Sequence, residues 1–212
     1  METGSVDVST TVPLSLAARA YHPRTLEALP GGEFYSLMRP KDDEWERVED
    51  AALKVNKLTR EELKEAPERD VVWASFVEFV KRFQKGKQLT GRPIPAGHNI
   101  KNFDLPIIER LCRHYRNVDK DGRQNLFHPR DCLDLKDILF LWYENTDALV
   151  NFKLDTVRAH FALSSEHAHR ADVDVFQTGD LIIRFLKLHR KFFERCPSLK
   201  GVASQPKGVV MT

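Results

Sequence analysis

Residues 168–178, AHRADVDVFQT, set His169 five positions ahead of Asp174, at the mouth of an apolar stretch with helical spacing. On a helix Asp174 falls on the side of Ala171 and near the turn that carries His169, so a base and a carboxylate can face one cleft. Such a pair suits metal-assisted hydrolysis, because an imidazole takes up a proton near neutral pH and a carboxylate holds a cation. An acidic helix start also has a purely structural use, since carboxylates stabilise the positive end of the helix dipole. Two more acids shift the balance. Glu2 in METG and Asp104 in GHNIKNFD stand too far along the chain to be caps of the same helix. Carboxylates gathered from separate elements repel one another, and cations must neutralise them if they meet. Mg²⁺ or Mn²⁺ suits such oxygen-rich donors. Two ions about 4 Å apart would activate a water and stabilise the leaving oxygen of a phosphodiester.

A rival chemistry reads His167 and His169 with Asp172 and Asp174 as a zinc hydrolase site, since paired histidines bind zinc. That reading leaves His98, Asn99 and Glu2 without a role.

The elements that must position these residues belong to an ordinary soluble domain. The 212 residues suffice for one substantial core, with 42% hydrophobic and 30% charged residues. A net charge of +2 leaves any nucleic-acid contact to a local basic patch rather than bulk charge. Cys112, Cys132 and Cys196 are odd in number and widely spaced, which argues against a zinc ribbon or disulfide framework and fits a reducing compartment. No apolar run approaches membrane-spanning length and residues 1–11 lack a hydrophobic signal core. A cytoplasmic protein without membrane contact is expected.

The chain opens in a Gly/Ser/Thr-rich loop, METGSVDVSTT. Alternation over residues 14–21 predicts a strand. A turn at Pro30-Gly31-Gly32 then predicts an antiparallel partner over 33–39, stopped by Pro40. Thr59 and Glu62 form a capping-box pattern for a short helix that Pro67 ends. Val72, Phe76, Phe79 and Phe83 recur at helical spacing as core, up to Gly86. Residues 92–98 read as a buried strand, and Phe103, Ile107, Leu111 and Tyr115 mark a helix with Pro106 in its first turn. A polar loop over 117–129 precedes a brief strand at 132–134 and a helix through 138–142. Leu154, Val157 and Phe161 predict another short helix. The last helix carries Leu181, Phe185, Leu188 and Phe192 on one side, and Arg184, Lys187, Arg190 and Lys191 on a solvated basic face, until Pro197 stops it. Residues 1–196 form one domain in this reading, and 197–212 are a disordered tail.

Three motifs in order resemble the DEDDh exonucleases, the ribonuclease-H-like family of polymerase proofreading subunits, ribonuclease T and oligoribonuclease. Its first motif, D-x-E-[TS]-x-G, is similar to Met1-Glu2-Thr3-Gly4 from the x onward. Its second, H-N-x-x-x-F-D, matches His98-Asn99 through Phe103-Asp104, and its third, H-x-A-x-x-D, matches His169, Ala171 and Asp174. Cys132-Leu133-Asp134-Leu135 resembles the family's D-T-L segment. Lys153-Leu154-Asp155 through His160-Phe161 resembles its approach to the last motif.

The resemblance spans about residues 1–190 and implies an α/β fold, a ribonuclease-H-like mixed sheet flanked by helices. It implies that Glu2 and Asp174 bind the metal holding the nucleophilic water, with Asp104 as an outer ligand and His169 as general base. The backbone at Thr3 and Gly4 would lie against the terminal nucleotide. Asn99 and Phe103 would shape the pocket, with Phe103 equally readable as core. The implied reaction is Mg²⁺- or Mn²⁺-dependent removal of 5′-monophosphates from 3′ ends of single-stranded DNA or RNA. A homodimer is a further implication, and a rival, non-enzymatic reading makes the chain an interaction module whose 198–212 tail docks a polymerase, against the reading of that tail as a disordered end.

One departure counts against full activity. The motif's first aspartate would precede Met1 by one residue, and the apolar strand leading into it, central in the family's sheet, is missing from the sequence. Either Met1 is an internal methionine of a longer protein, or the chain is a catalytically impaired relative that binds nucleic acid or a polymerase. Asp7, past the glycine turn, points elsewhere in the family's geometry.

Overall fold

The computed structural model describes residues 1–86, 89–164 and 170–196. It is an α/β arrangement of small sheets flanked by helices, as expected. Glu2–Thr3 (β1) pairs antiparallel with Pro13–Tyr21 (β2), which pairs antiparallel with Ala28–Leu37 (β3). The opening residues are therefore not all loop, since Glu2 lies opposite Ser15 at the sheet's edge. The hairpin turn also differs from expectation. Pro30-Gly31-Gly32 lies inside β3, where the register slips between Arg19 and Tyr21. The chain reverses instead at residues 22–27, closed by the His22 amide donating to the Glu27 carbonyl at 2.8 Å, with Leu26 at φ 61°. Gly32 fits there because a Cβ would stand 2.6 Å from the Leu29 carbonyl oxygen.

A parallel pair, Ala96–Gly97 (β4) with Leu133–Asp134 (β5), forms the second sheet. The strand predicted over 92–98 shrinks to two residues because Pro93 and Pro95 have no N–H to give a ladder. Their carbonyls are used, accepting from His128 and Leu133 amides at 2.8 and 2.9 Å.

Asp50–Asn56 (α1) carries no long apolar stripe and goes unpredicted, yet its Leu53 closes a small core with Val12, Leu14, Val48 and Leu63. Arg60–Glu65 (α2) starts at the capping box of Thr59 and Glu62. Arg69–Lys81 (α3) buries Val72, Phe76 and Phe79 against Ile107 and Leu111 of Asp104–His114 (α4). A buried ion pair ties this layer down: Arg69 Nη1 donates to both oxygens of Glu44 at 2.8 and 2.9 Å.

Leu135–Tyr143 (α5), Leu154–His160 (α6) and Ala171–Arg195 (α7) share a separate core of Leu135, Leu139, Val157, Leu181, Ile182 and Phe185. The apolar side of α7 is shorter than its sequence pattern. Leu188 and Phe192 are half-exposed, because the helix outruns the core it packs on. Its basic face is not wholly solvated either: Arg190 donates to the Pro23 and Arg24 carbonyls at 2.8 and 2.5 Å, pinning the hairpin to the helix. No helix among the described residues is long and apolar enough to cross a membrane. The predicted tail, 197–212, lies outside the described residues.

Candidate carboxylate site

Each acid of the site enters from the end of an element. Glu2 stands on β1 and Asp104 is the first residue of α4. Asp174 lies in the first turn of α7, where the helix dipole favours a carboxylate. The fold brings Asp104 and Asp174 within electrostatic reach of Glu2, although 70 or more positions separate neighbouring members along the chain. Glu2 registers the result. Burial pushes its carboxyl up to about 7, the Met1 ammonium pulls against that shift, Asp174 and Asp104 add to it, and Arg158 opposes it.

Two cations stand among these acids. The Met1 ammonium donates to Asp104 Oδ1 at 3.2 Å. Burial acts to lower its pKa, but Asp104 and Glu2 outweigh burial and hold it above the ordinary value. Arg158 donates through Nη2 to Asp174 Oδ1, through Nη1 to Asp155 at 2.7 Å and through Nε to Gln177 at 2.8 Å.

The loop joining β4 to α4 presents Asp104. Asn99 takes a left-handed conformation, φ 56°, and its amide donates to Asp134 Oδ1 at 2.8 Å, while the Lys101 amide donates to Asp134 Oδ2 at 3.2 Å. His98 Nε2 meets the Phe152 carbonyl at 2.8 Å, which ties this loop to the approach of α6. Phe103 packs against the core around α3 and α4, the core alternative for this residue.

The other predicted residues sit close by. Thr3 is buried, its hydroxyl donating to the Ser5 carbonyl at 2.8 Å and its carbonyl accepting from Asn56 Nδ2 at 2.9 Å. Gly4 exchanges backbone bonds with Val12 and Glu49, and a Cβ there would lie 3.2 Å from Val48 Cα. Its lack of a side chain serves that approach. Asp7 belongs to its own turn, accepting from Ser9 and Thr10, whose hydrogen bonds hold its carboxyl below the usual range. His169, predicted as the base, lies outside the described residues, as does His167 of the rival zinc reading.

By donor type these three residues suit a hard divalent cation. The donors are three carboxylates, and a buried glutamate held up to about 7 beside two more acids is the electrostatic condition a cation relieves. Among the described residues no three His, Cys, Asp or Glu side chains yet close on one point, and the resident cations Met1 and Arg158 are paired with two of the three acids. Arg158 is the functional candidate that sequence reasoning missed. Its only signal is an Asp155-to-Arg158 spacing of one helical turn, common on any exposed helix face.

The fold is that of known nucleases. An exonuclease I structure superposes with a TM-score of 0.68 over 94% of this chain and 42% of its own, at 18% identity. Escherichia coli exonuclease I bound to a zinc ion and single-stranded DNA matches at 0.63 over 93% of this chain and 40% of its own, at 18% identity. Cell-death-related nuclease 4 (CRN-4) matches at 0.66 over 88% of this chain and 62% of its own, at 13% identity. In sequence, 101 residues are 32% identical to the PolC-type DNA polymerase III of Latilactobacillus sakei subsp. sakei (strain 23K), covering 48% of this chain and 6% of that polymerase. No protein-family model matches the chain. The resemblance thus holds at the level of a fold shared with exonuclease I and CRN-4, and the chain spans less than half the length of the exonuclease I chains it matches.

Proposed function

We propose that the protein is a metal-dependent 3′-5′ exonuclease acting on single-stranded nucleic acid. What supports the reading is that Asp104 and Asp174, from two distant motifs, both act electrostatically on buried Glu2 in a fold shared with exonuclease I. Glu2, Asp104 and Asp174 would hold Mg²⁺ or Mn²⁺, which supplies activation of water and neutralisation of the phosphate. The water oxygen bonds to phosphorus, the P–O3′ bond breaks, a nucleoside 5′-monophosphate leaves, and the shortened strand keeps a 3′-hydroxyl. His169 would accept the water's proton. The Asn99 loop, fixed by Asp134, would keep Asp104 in place as the terminal nucleotide enters beside Thr3 and Gly4.

A second reading rests on the pairing of Asp174 with Arg158. With that cation retained, the protein would bind single strands, or a polymerase at work on them, without cleaving efficiently.

A 5′-labelled oligonucleotide incubated with Mn²⁺ separates the two. The exonuclease shortens it stepwise from the 3′ end, and chelation or Asp174→Ala lowers the rate at least ~100-fold, a loss of about 3 kcal/mol of transition-state stabilisation. Strands retained in a gel shift but equally intact with wild type and Asp174→Ala mean that the binding reading replaces it.

A further inference from the structure

Arg158 is an unusual neighbour for a cation site. Its side chain is 3% exposed, so a full positive charge has left water, and a desolvated charge persists only where fixed counter-charges surround it. The guanidinium is shared between Asp155, whose side chain is 65% exposed, and Asp174, whose side chain is 21% exposed. Gln177 orients the third donor edge through Nε, and its own Nε2 is held by the Ser164 carbonyl at 2.7 Å. The fork is therefore locked from α6 and α7 together, and it cannot turn away from Asp174 without breaking a second bond. A divalent ion seeking the same carboxylate meets this fixed positive charge, and at such range in a partly buried setting the repulsion between like charges is strong.

From this geometry we infer that Arg158 is a built-in counter-cation for Asp174, a positioning residue that holds the carboxylate in place and competes with the divalent ion for it. The inference rests on the exonuclease reading only in taking Asp174 as a metal ligand. Asp155 tunes the competition: it draws part of the guanidinium charge toward solvent and so lessens the hold on Asp174. Sequence offers no hint of this, because Asp174 and Gln177 reach Arg158 only when α7 packs on α6.

Mn²⁺ titration of the metal-free protein by calorimetry tests the inference apart from any nuclease assay. Arg158→Met is expected to bind Mn²⁺ about tenfold tighter or more, because removing a like charge from the site favours the ion. Asp155→Asn, which keeps an acceptor oxygen for Arg158 Nη1 while removing the charge, is expected to bind a few-fold more weakly, since the guanidinium then leans more on Asp174. A role confined to holding the helices together predicts the reverse for Arg158→Met, because a loosened Asp174 binds metal less well. Unchanged or weaker Mn²⁺ binding by Arg158→Met overturns the inference. Should that variant fail to fold, unchanged or tighter binding by Asp155→Asn overturns it. Asp174→Asn separates the layers: if it binds Mn²⁺ as wild type does, Asp174 is not a ligand and the metal reading falls too, whereas lost binding leaves that reading intact whatever Arg158 does.

Discussion

At Glu2, burial and two neighbouring acids favour the neutral carboxyl, so the folded, metal-free protein keeps a proton that the unfolded chain releases. With a folded value of about 7 against an ordinary 4.5, the group's contribution to stability is fully present below pH 4.5 and is lost as pH rises through 7. In chelator, the melting temperature of wild type is expected to fall relative to Glu2→Gln across that window, read by differential scanning calorimetry at half-unit pH steps. Parallel curves for the two proteins would remove Glu2 as the titrating group. Glu2, Asp104 and Asp174 could be singled out in sequence because each stands in a motif that resembles one of a known family. Arg158 could not, because what distinguishes it from any helix-surface arginine is burial, and burial arises from a partner helix that no local pattern announces.

Among the elements, the short parallel pair β4–β5 shows how little regular structure suffices to hold the loop that leads to Asp104. Asp134 ends β5, caps α5 by accepting the Lys136 amide at 3.0 Å, and accepts the Asn99 and Lys101 amides of the loop that leads to Asp104. Asp134→Ala removes the cap and strands two loop amides, a loss of about 2–4 kcal/mol. Asp134→Asn keeps one acceptor oxygen and turns an N–H₂ toward a donor, and its loss should be smaller. Urea denaturation ranks them, and equal midpoints for wild type and Asp134→Ala would show that the loop does not depend on this carboxylate. Helices with a full apolar stripe, α3 and α4, were readable because a 3.6-residue repeat is a strong local signal. The strand β1 was not, since two residues cannot establish a period of two, and β4 was read too long, over 92–98, because the apolar run does not show where the prolines interrupt the ladder.

For the molecule as a whole, α7 is the member that joins the parts, since it carries Asp174, packs into the α5–α6 core and also clamps the hairpin. Arg190 holds the turn carbonyls of Pro23 and Arg24, and the Arg19 guanidinium stands 4.3 Å over the Phe176 ring. Between these contacts Gly179 lets Tyr21 lie against the helix backbone. A Cβ at residue 179 would stand 2.7 Å from the Tyr21 hydroxyl and 3.2 Å from its ring. The sequence showed the helix and the hairpin but not this contact, because a glycine inside a helical pattern signals only a local loss of propensity. Gly179→Ala gains helix propensity of about 1 kcal/mol and must displace Tyr21, at a cost of about 1–3 kcal/mol, so the net effect is destabilising. Tyr21→Phe removes the atom in closest conflict, and the double variant is expected to recover part of the loss, giving a coupling of about 0.5–1 kcal/mol between the two positions. Thermal denaturation of the four proteins measures that coupling directly. If the two substitutions add with no coupling, the hairpin does not rest on α7 through Tyr21, and its hold on the helix that carries Asp174 lies in other contacts, such as those of Arg190 and Arg19.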